Sequence, residues 1–213
     1  MNFKAGVRSL LLRADWGGLR ELMAADRRLV GALNRLLYDP EAIVRWRAVT
    51  GLGLVAREDP FLLELVIGRL LYTLNDDSGS IGWFAPQALG EICAQDPDLV
   101  EDVFSVVLSS LELPVFREGV LWAAGRVAAV RPDLVEEAGP AIARCLLDRS
   151  PAARGLACRA LGRLPRVEAG EALGRLQTDE SPFELYEDGE LAGRTVGQAA
   201  AEAMSRRAAA RGG

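Results

Sequence analysis

Four stretches of this chain align with one another without gaps, and their spacing constrains the fold more than any other feature. They are DPEAIVRWRAVTGLG, ending at Gly53; DDSGSIGWFAPQALG, ending at Gly90; LELPVFREGVLWAAG, ending at Gly125; and DRSPAARGLACRALG, ending at Gly162. The closing glycines lie 37, 35 and 37 residues apart. A second register keeps the same period: EDPFLLELV, QDPDLVEDV and VRPDLVEEA put Pro60, Pro97 and Pro132 at helix starts, where the missing N–H would have no partner anyway. One period in two registers indicates an array of helix pairs, each burying its apolar face against its neighbours.

The columns of the repeat follow helix physics. Positions five, four and one before the glycine are Ala48, Val49, Leu52; Ala85, Pro86, Leu89; Val120, Leu121, Ala124; and Ala157, Cys158, Leu161, an apolar stripe at helical spacing. The second helix of each pair is expected to begin near Ile43, Trp83, Val115 and Ala152. The glycine sits on that helix at a cost of roughly 1 kcal/mol in propensity, which close helix approach would offset. Only 6% of the residues are aromatic while 50% are hydrophobic, so the core is built from Ala, Leu and Val, as closely packed helices require. Aspartate recurs fourteen before the glycine at Asp39, Asp76 and Asp148, and arginine eight before it at Arg45, Arg117 and Arg154. The third repeat breaks the first column with Leu111, and the second breaks the other with Gly82.

This Asp-x5-Arg…Ala…Leu-Gly spacing, clearest over Asp39–Gly53 and Asp148–Gly162, resembles the HEAT repeats of the bilin-lyase (PBS-lyase) type, over roughly residues 26–204. RWRAVTGLG and LNDDSGSIGWFAPQALGEI are similar to a small bacterial group of HEAT-repeat proteins that lends no activity. The resemblance implies an Asp–Arg ladder within and between repeats, which makes Arg45, Arg117 and Arg154 structural. It also implies the fold: an all-α, right-handed α-α superhelix of about five helix pairs plus terminal caps.

One solenoid domain is expected over 1–205. Residues 1–25 form its N-terminal helical cap, with helices over 3–13 and 17–25 and Asp15 capping the second. The last first-position helix is expected at about 166–177. Beyond it, Phe183 to Tyr186 alternates, Asp188-Gly189 signals a type I′ turn, and Glu190 to Val196 returns, so 180–196 reads as an inserted β-hairpin. Residues 206–213 read as a disordered tail.

Composition removes most chemistry. There are no histidines, the commonest general bases and metal ligands. Cys93, Cys145 and Cys158 form no CxxC pair, so neither a metal nor a disulfide framework is expected. No phosphate loop, dinucleotide fingerprint or nucleophile elbow is present, and no cofactor is expected. Asp76-Asp77 reads as a helix-capping turn, since calcium needs more oxygen ligands; amides beside Ser78 and Ser80 could take an anion. The net charge of −5 argues against a nucleic-acid binder. The apolar run Leu10–Leu12 is too short for a membrane span, and a cytoplasmic protein is expected.

Function is therefore sought on the exposed ridge of the second helices. Positions seven and three before the glycine and one after it share one face: Trp46, Thr50, Leu54; Trp83, Gln87, Glu91; Glu118, Trp122, Arg126; and Gly155, Arg159, Arg163. Trp46, Trp83, Gln87, Glu118, Trp122, Arg126, Arg159 and Arg163 are the candidate binding residues. Together they describe a groove, aromatic towards the N-terminal half and arginine-rich towards the other end, that takes a protein or peptide partner. Two alternatives follow from the resemblance or the charges. One is a HEAT-type enzyme or ligand binder, bilin-lyase-like or DNA-glycosylase-like, caging a planar group between Trp46, Trp83 and Trp122. The other is nucleic-acid binding through Arg126, Arg154, Arg159 and Arg163.

Overall fold

The computed structural model describes residues 3–74, 84–96 and 100–211. Helices α1 (Phe3–Leu12) and α2 (Trp16–Ala25) form the N-terminal cap, and the Asp15 side chain accepts from the Gly18 amide to start α2. Helix pairs follow: α3 (Arg28–Leu36) with α4 (Ala42–Glu58), α5 (Glu64–Leu74) with α6 (Ala85–Gln95), and α7 (Val100–Ser109) with α8 (Pro114–Val127). Next come α9 (Asp133–Glu136) and α10 (Gly139–Arg144) with α11 (Pro151–Leu161), then α12 (Gly170–Leu176) with α13 (Val196–Arg211). Pro140 cannot donate, so the first helix of the fourth pair is split in two. The expected starts of the second helices hold at α4, α8 and α11. Helix α6 begins late, with Phe84 as its N-cap and Pro86 in its first turn, where no donor is lost. Trp83 and the Asp76–Ser80 turn lie outside the described residues.

Neighbouring second helices touch through small residues. A Cβ added at Gly90 would stand 2.3 Å from Ala123 Cβ and 2.7 Å from its Cα, and one at Gly162 would stand 2.9 Å from Ala203 Cα. Gly125 differs: its nearest neighbours, the backbone of Ala160, would be 3.8 Å from a Cβ, so this position is not a close contact.

Between pairs the polar columns form rungs. Each recurring arginine reaches back to carbonyls six and five residues earlier: Arg45 to Asp39 and Pro40, Arg117 to Leu111 and Glu112, Arg154 to Asp148 and Arg149. Each aspartate accepts the amide two residues on and an arginine from the preceding unit: Asp39 from Glu41 and Arg8, Asp148 from Ser150 and Arg117, Asp179 from Ser181 and Arg154. Carbonyls at helix ends and turns, which have no partner along the helix, are thereby satisfied.

The C-terminal region departs from expectation twice. Helix α12 starts at Gly170 rather than near 166, and residues 206–211 are helical rather than a frayed tail. One residue accounts for both. Arg207, only 3% exposed, donates to the carbonyls of Leu161, Leu164, Pro165 and Val167 at 2.9, 2.7, 3.3 and 2.6 Å. These bonds hold residues 161–167 as an irregular turn and oblige α13 to continue past Arg207. Between α12 and α13 stand β1 (Pro182–Glu187) and β2 (Glu190–Thr195), antiparallel, with Glu187 opposite Glu190. Asp188 (φ 52°) and Gly189 (φ 85°) take the two left-handed positions of the turn, as the Asp-Gly pair predicts.

Gly90→Leu should therefore lose about 1–3 kcal/mol of stability in thermal denaturation, because the atoms it meets are backbone. Gly125→Ala should be neutral or gain up to about 1 kcal/mol of helix propensity; equal losses at the two sites would contradict the packing. The rungs give a pH prediction. Burial favours the neutral acid at Asp39, but Arg8 and the Glu41 amide outweigh it and hold the carboxyl below its usual range. Such a group contributes stability that is complete above the unfolded carboxyl's pKa and is lost as pH falls through the folded value. Arg8→Ala should thus raise the pH of the acid unfolding midpoint, and an unmoved midpoint would show that the rung does not hold the cap.

Candidate functional site

Trp46, Gln87, Glu118, Trp122, Arg126, Arg159 and Arg163 line two clefts on the face of α4, α6, α8 and α11, and Trp83 lies outside the described residues. That face is not open, because the hairpin lies on it. Tyr186 stacks on Trp46 with ring centroids 4.9 Å apart and an angle of 13°, and its hydroxyl is 2.6 Å from Thr50 Oγ1. The Trp122 indole N–H donates to the Tyr186 carbonyl at 3.1 Å. Phe183 fills the space above Gly155, where an added Cβ would come within 2.4 Å of its ring. At the tip, Arg47 donates to the Gly189 carbonyl and Glu190 while its remaining donors take the carbonyls of Leu11 and Leu12 at the end of α1. The hairpin thus reaches from α11 back to the N-terminal cap.

This corrects the expected open aromatic ridge. Trp122 is 6% exposed and Trp46 is packed between Phe84, Trp122 and Tyr186. A buried indole needs an acceptor, and the hairpin main chain supplies one that an Ala/Leu core lacks. Arg47, Phe183 and Tyr186 are the residues that sequence reasoning missed. The available signal was Gly155, a glycine on a stripe that elsewhere carries large side chains and so marks a close approach.

The hairpin divides the face lengthwise into two clefts. One, about 380 Å³, runs along the N-terminal halves of the helices over a floor of Trp46, Phe84, Trp122 and Tyr186, with Gln87, Glu118 and Glu184 at its sides. Gln87 is buried against Gly119, and its Oε1 has no hydrogen-bond partner. Glu118 is exposed and accepts from Ser150 Oγ. The other cleft, about 240 Å³, runs along the C-terminal halves, lined by Arg126, Arg159 and Arg163 together with Glu91, Glu187 and Trp16.

The arginines are mostly spoken for. Arg126 holds Glu91 with two bonds, at 2.6 and 2.9 Å, and Arg159 pairs with Glu187. Arg154 belongs to the rung at Asp179. Burial lowers Glu187's tendency to ionise, yet Arg159 and Arg163 outweigh it and keep the carboxylate below its usual range. A cluster neutralised in this way is a poor surface for phosphate backbones. The cysteines are core residues: burial pushes the Cys93 and Cys158 thiols up to about 12 and raises Cys145 as well, which leaves them protonated near neutral pH. Tyr186, also pushed up to about 12 by burial, stays a neutral phenol. Among the described residues no group of histidine, cysteine and carboxylate side chains could hold a metal ion, and no helix is long and apolar enough to cross a membrane.

Stacked helix pairs whose second helices share one face define an α-solenoid of the HEAT and armadillo kind. Within it, residues 114–164, from α8 through α11, match the family model of the HEAT-like repeat. Solved structures with the same fold include a computationally designed armadillo repeat protein for modular peptide recognition (19% identity, TM-score 0.54, 95% of this chain and 92% of that one). A designed armadillo repeat protein in complex with the peptide (KR)4 is equally similar (19%, 0.55, with the same coverage). Against an engineered protein (16%, 0.56), 90% of this chain aligns but spans half of the other's length. At these identities the likeness shows the fold. No curated protein matches the chain in sequence.

If the hairpin is seated through Gly155, then Gly155→Leu should displace Phe183 and lift β1 and β2. Limited trypsin digestion should then cut faster at Arg194, while helical circular dichroism at room temperature is largely kept. Unchanged cleavage at Arg194 would mean that the hairpin is not held there.

Proposed function

We propose that the chain is a binding module without chemistry of its own, which recognises an extended segment of another protein in the cleft beside the hairpin. The observation that carries this reading is the hairpin itself: the face already holds an extended segment, through ring stacking and through side-chain donors aimed at its main-chain carbonyls. The free cleft offers the same elements. Its floor is aromatic, the usual anchor chemistry of interfaces. Gln87 lines its side, with its amide turned in against Gly119 on the neighbouring helix. Glu118 and Glu184 give it a negative rim, which suits a segment carrying lysine or arginine. The likeness to designed armadillo proteins made for peptide recognition, one of them holding (KR)4, points the same way. In this reading Gln87 and Glu118 contact the partner, and Trp46 and Trp122 form the floor. The finer kinship with bilin-lyase-type repeats rests on the Asp-x5-Arg spacing and concerns the scaffold rather than a lyase reaction, for which the buried thiols are unsuited.

The test is selection of a displayed random peptide library on the purified protein. Enriched peptides should carry basic residues, and the charge reversal Glu118→Arg with Glu184→Arg should weaken them by about tenfold or more, roughly 1.4 kcal/mol. A library returning nothing above a scrambled-surface control, or peptides indifferent to the double substitution, would overturn the reading.

A further inference from the structure

The second cleft contains a charge that the protein does not answer. Arg163 lies just beyond the end of α11, half-buried, in the wall of the 240 Å³ cavity under the hairpin tip. Of the three carboxylates that line it, Glu91 is held by Arg126 and Glu187 by Arg159. Asp188 stands exposed at the rim, and its field falls on Arg126. Arg163 makes no ion pair with any of them. Its one hydrogen bond among the described residues, from Nη1 to the Arg159 carbonyl at 3.2 Å, leaves four of the five guanidinium N–H donors without a partner among them. Glu187 favours its charge, but burial and the neighbouring arginines outweigh it. Burial, then Arg206, then Arg159 press its pKa down to about 10.

A cation in such a place is costly to keep, and it is placed where a ligand could reach it. The cavity is too small for a folded partner but large enough for more than one ion. Its walls supply indole surface from Trp16 and Trp122, and the Trp122 N–H is already taken by Tyr186, so the polar recognition there falls to the arginines. A guanidinium with free donors matches two oxygens of a carboxylate or phosphate. We propose that this cavity is a binding site for a small organic or inorganic oxyanion, with Arg163 as its principal contact. It stands apart from the segment reading, whose residues lie on the other side of the hairpin.

The experiment uses the full chain at constant ionic strength, titrated in parallel with inorganic phosphate and with succinate against chloride, and read by calorimetry and melting temperature. At least one of the two should bind saturably and raise the melting temperature. Arg163→Gln should weaken that binding by about tenfold or more, while the chloride-only melting temperature stays unchanged or rises, because repulsion from Arg206 and Arg159 is relieved. Arg166→Gln, at a side chain 84% exposed, should leave binding as it is. Stronger phosphate binding would assign a tetrahedral anion and stronger succinate binding a carboxylate. Responses to both salts that fail to saturate, or that are the same in Arg163→Gln, would overturn the proposal.

Discussion

Helices α6 and α8 meet at Gly90 and Ala123 so closely that no Cβ fits at Gly90. Helices that approach this near leave no room for side chains between them, so the second helices stack as a tight sheet of rods. Dispersion over many small contacts then replaces large core residues. This explains the low aromatic content, and it leaves Trp46 and Trp122 on the outer face of the sheet. Gly162 against Ala203 carries the same contact to α13, which is therefore part of the stack rather than an appendage.

Rods packed end by end raise a second problem, the unpaired carbonyls at helix ends and turns. Arginine solves it throughout. Arg45, Arg117 and Arg154 close the interhelical turns, Arg47 closes the end of α1, and Arg207 closes residues 161–167. A guanidinium suits this work because its donors diverge in one plane and can meet several carbonyls at once. The abundance of arginine and near absence of lysine thus have a structural use in this fold, whatever their origin.

The repeat was legible because it is local. The period, the glycines and the hairpin turn at Asp188-Gly189 each follow from residues a few positions apart. What escaped were contacts between distant residues. Thr50 meets Tyr186 across 136 residues and Arg47 meets Glu190 across 143, and no periodicity spans such distances. The Phe183–Tyr186 alternation predicts a strand but says nothing of what the strand lies on. The rung at Asp179 was hidden for a related reason, since the last unit has no glycine to count back from and its arginine partner lies 25 residues away rather than 31. The tail failed on composition: RRAAAR looks like solvent-loving sequence until Arg207 is seen facing four carbonyls.

The hairpin changes the meaning of the face it covers. Without it, the ridge would be one groove graded from aromatic to basic along the superhelix. With it, the face is split across the helices, and the polarity of the helices decides the chemistry of each side. Arg126 and Arg159 stand in last turns and Arg163 just beyond one, where a cation is favoured by the exposed carbonyls of the helix end. Positive charge along that side therefore has a reason independent of any ligand. The same argument does not account for how the charges are balanced. Glu91 and Glu187 compensate two arginines by direct pairing, whereas Arg163, which lines the cavity, has no such pair among the described residues and more like than opposite charge about it. Helix-end stabilisation, up to about 2 kcal/mol for a partly buried cation, and the field of Glu187 favour Arg163 there, yet burial and the charges of Arg206, Arg159 and Arg126 outweigh them. The imbalance at Arg163 is thus a property of the site formed by the hairpin, and it distinguishes this side of the face from the rungs, where every buried arginine described has its acceptors within the protein.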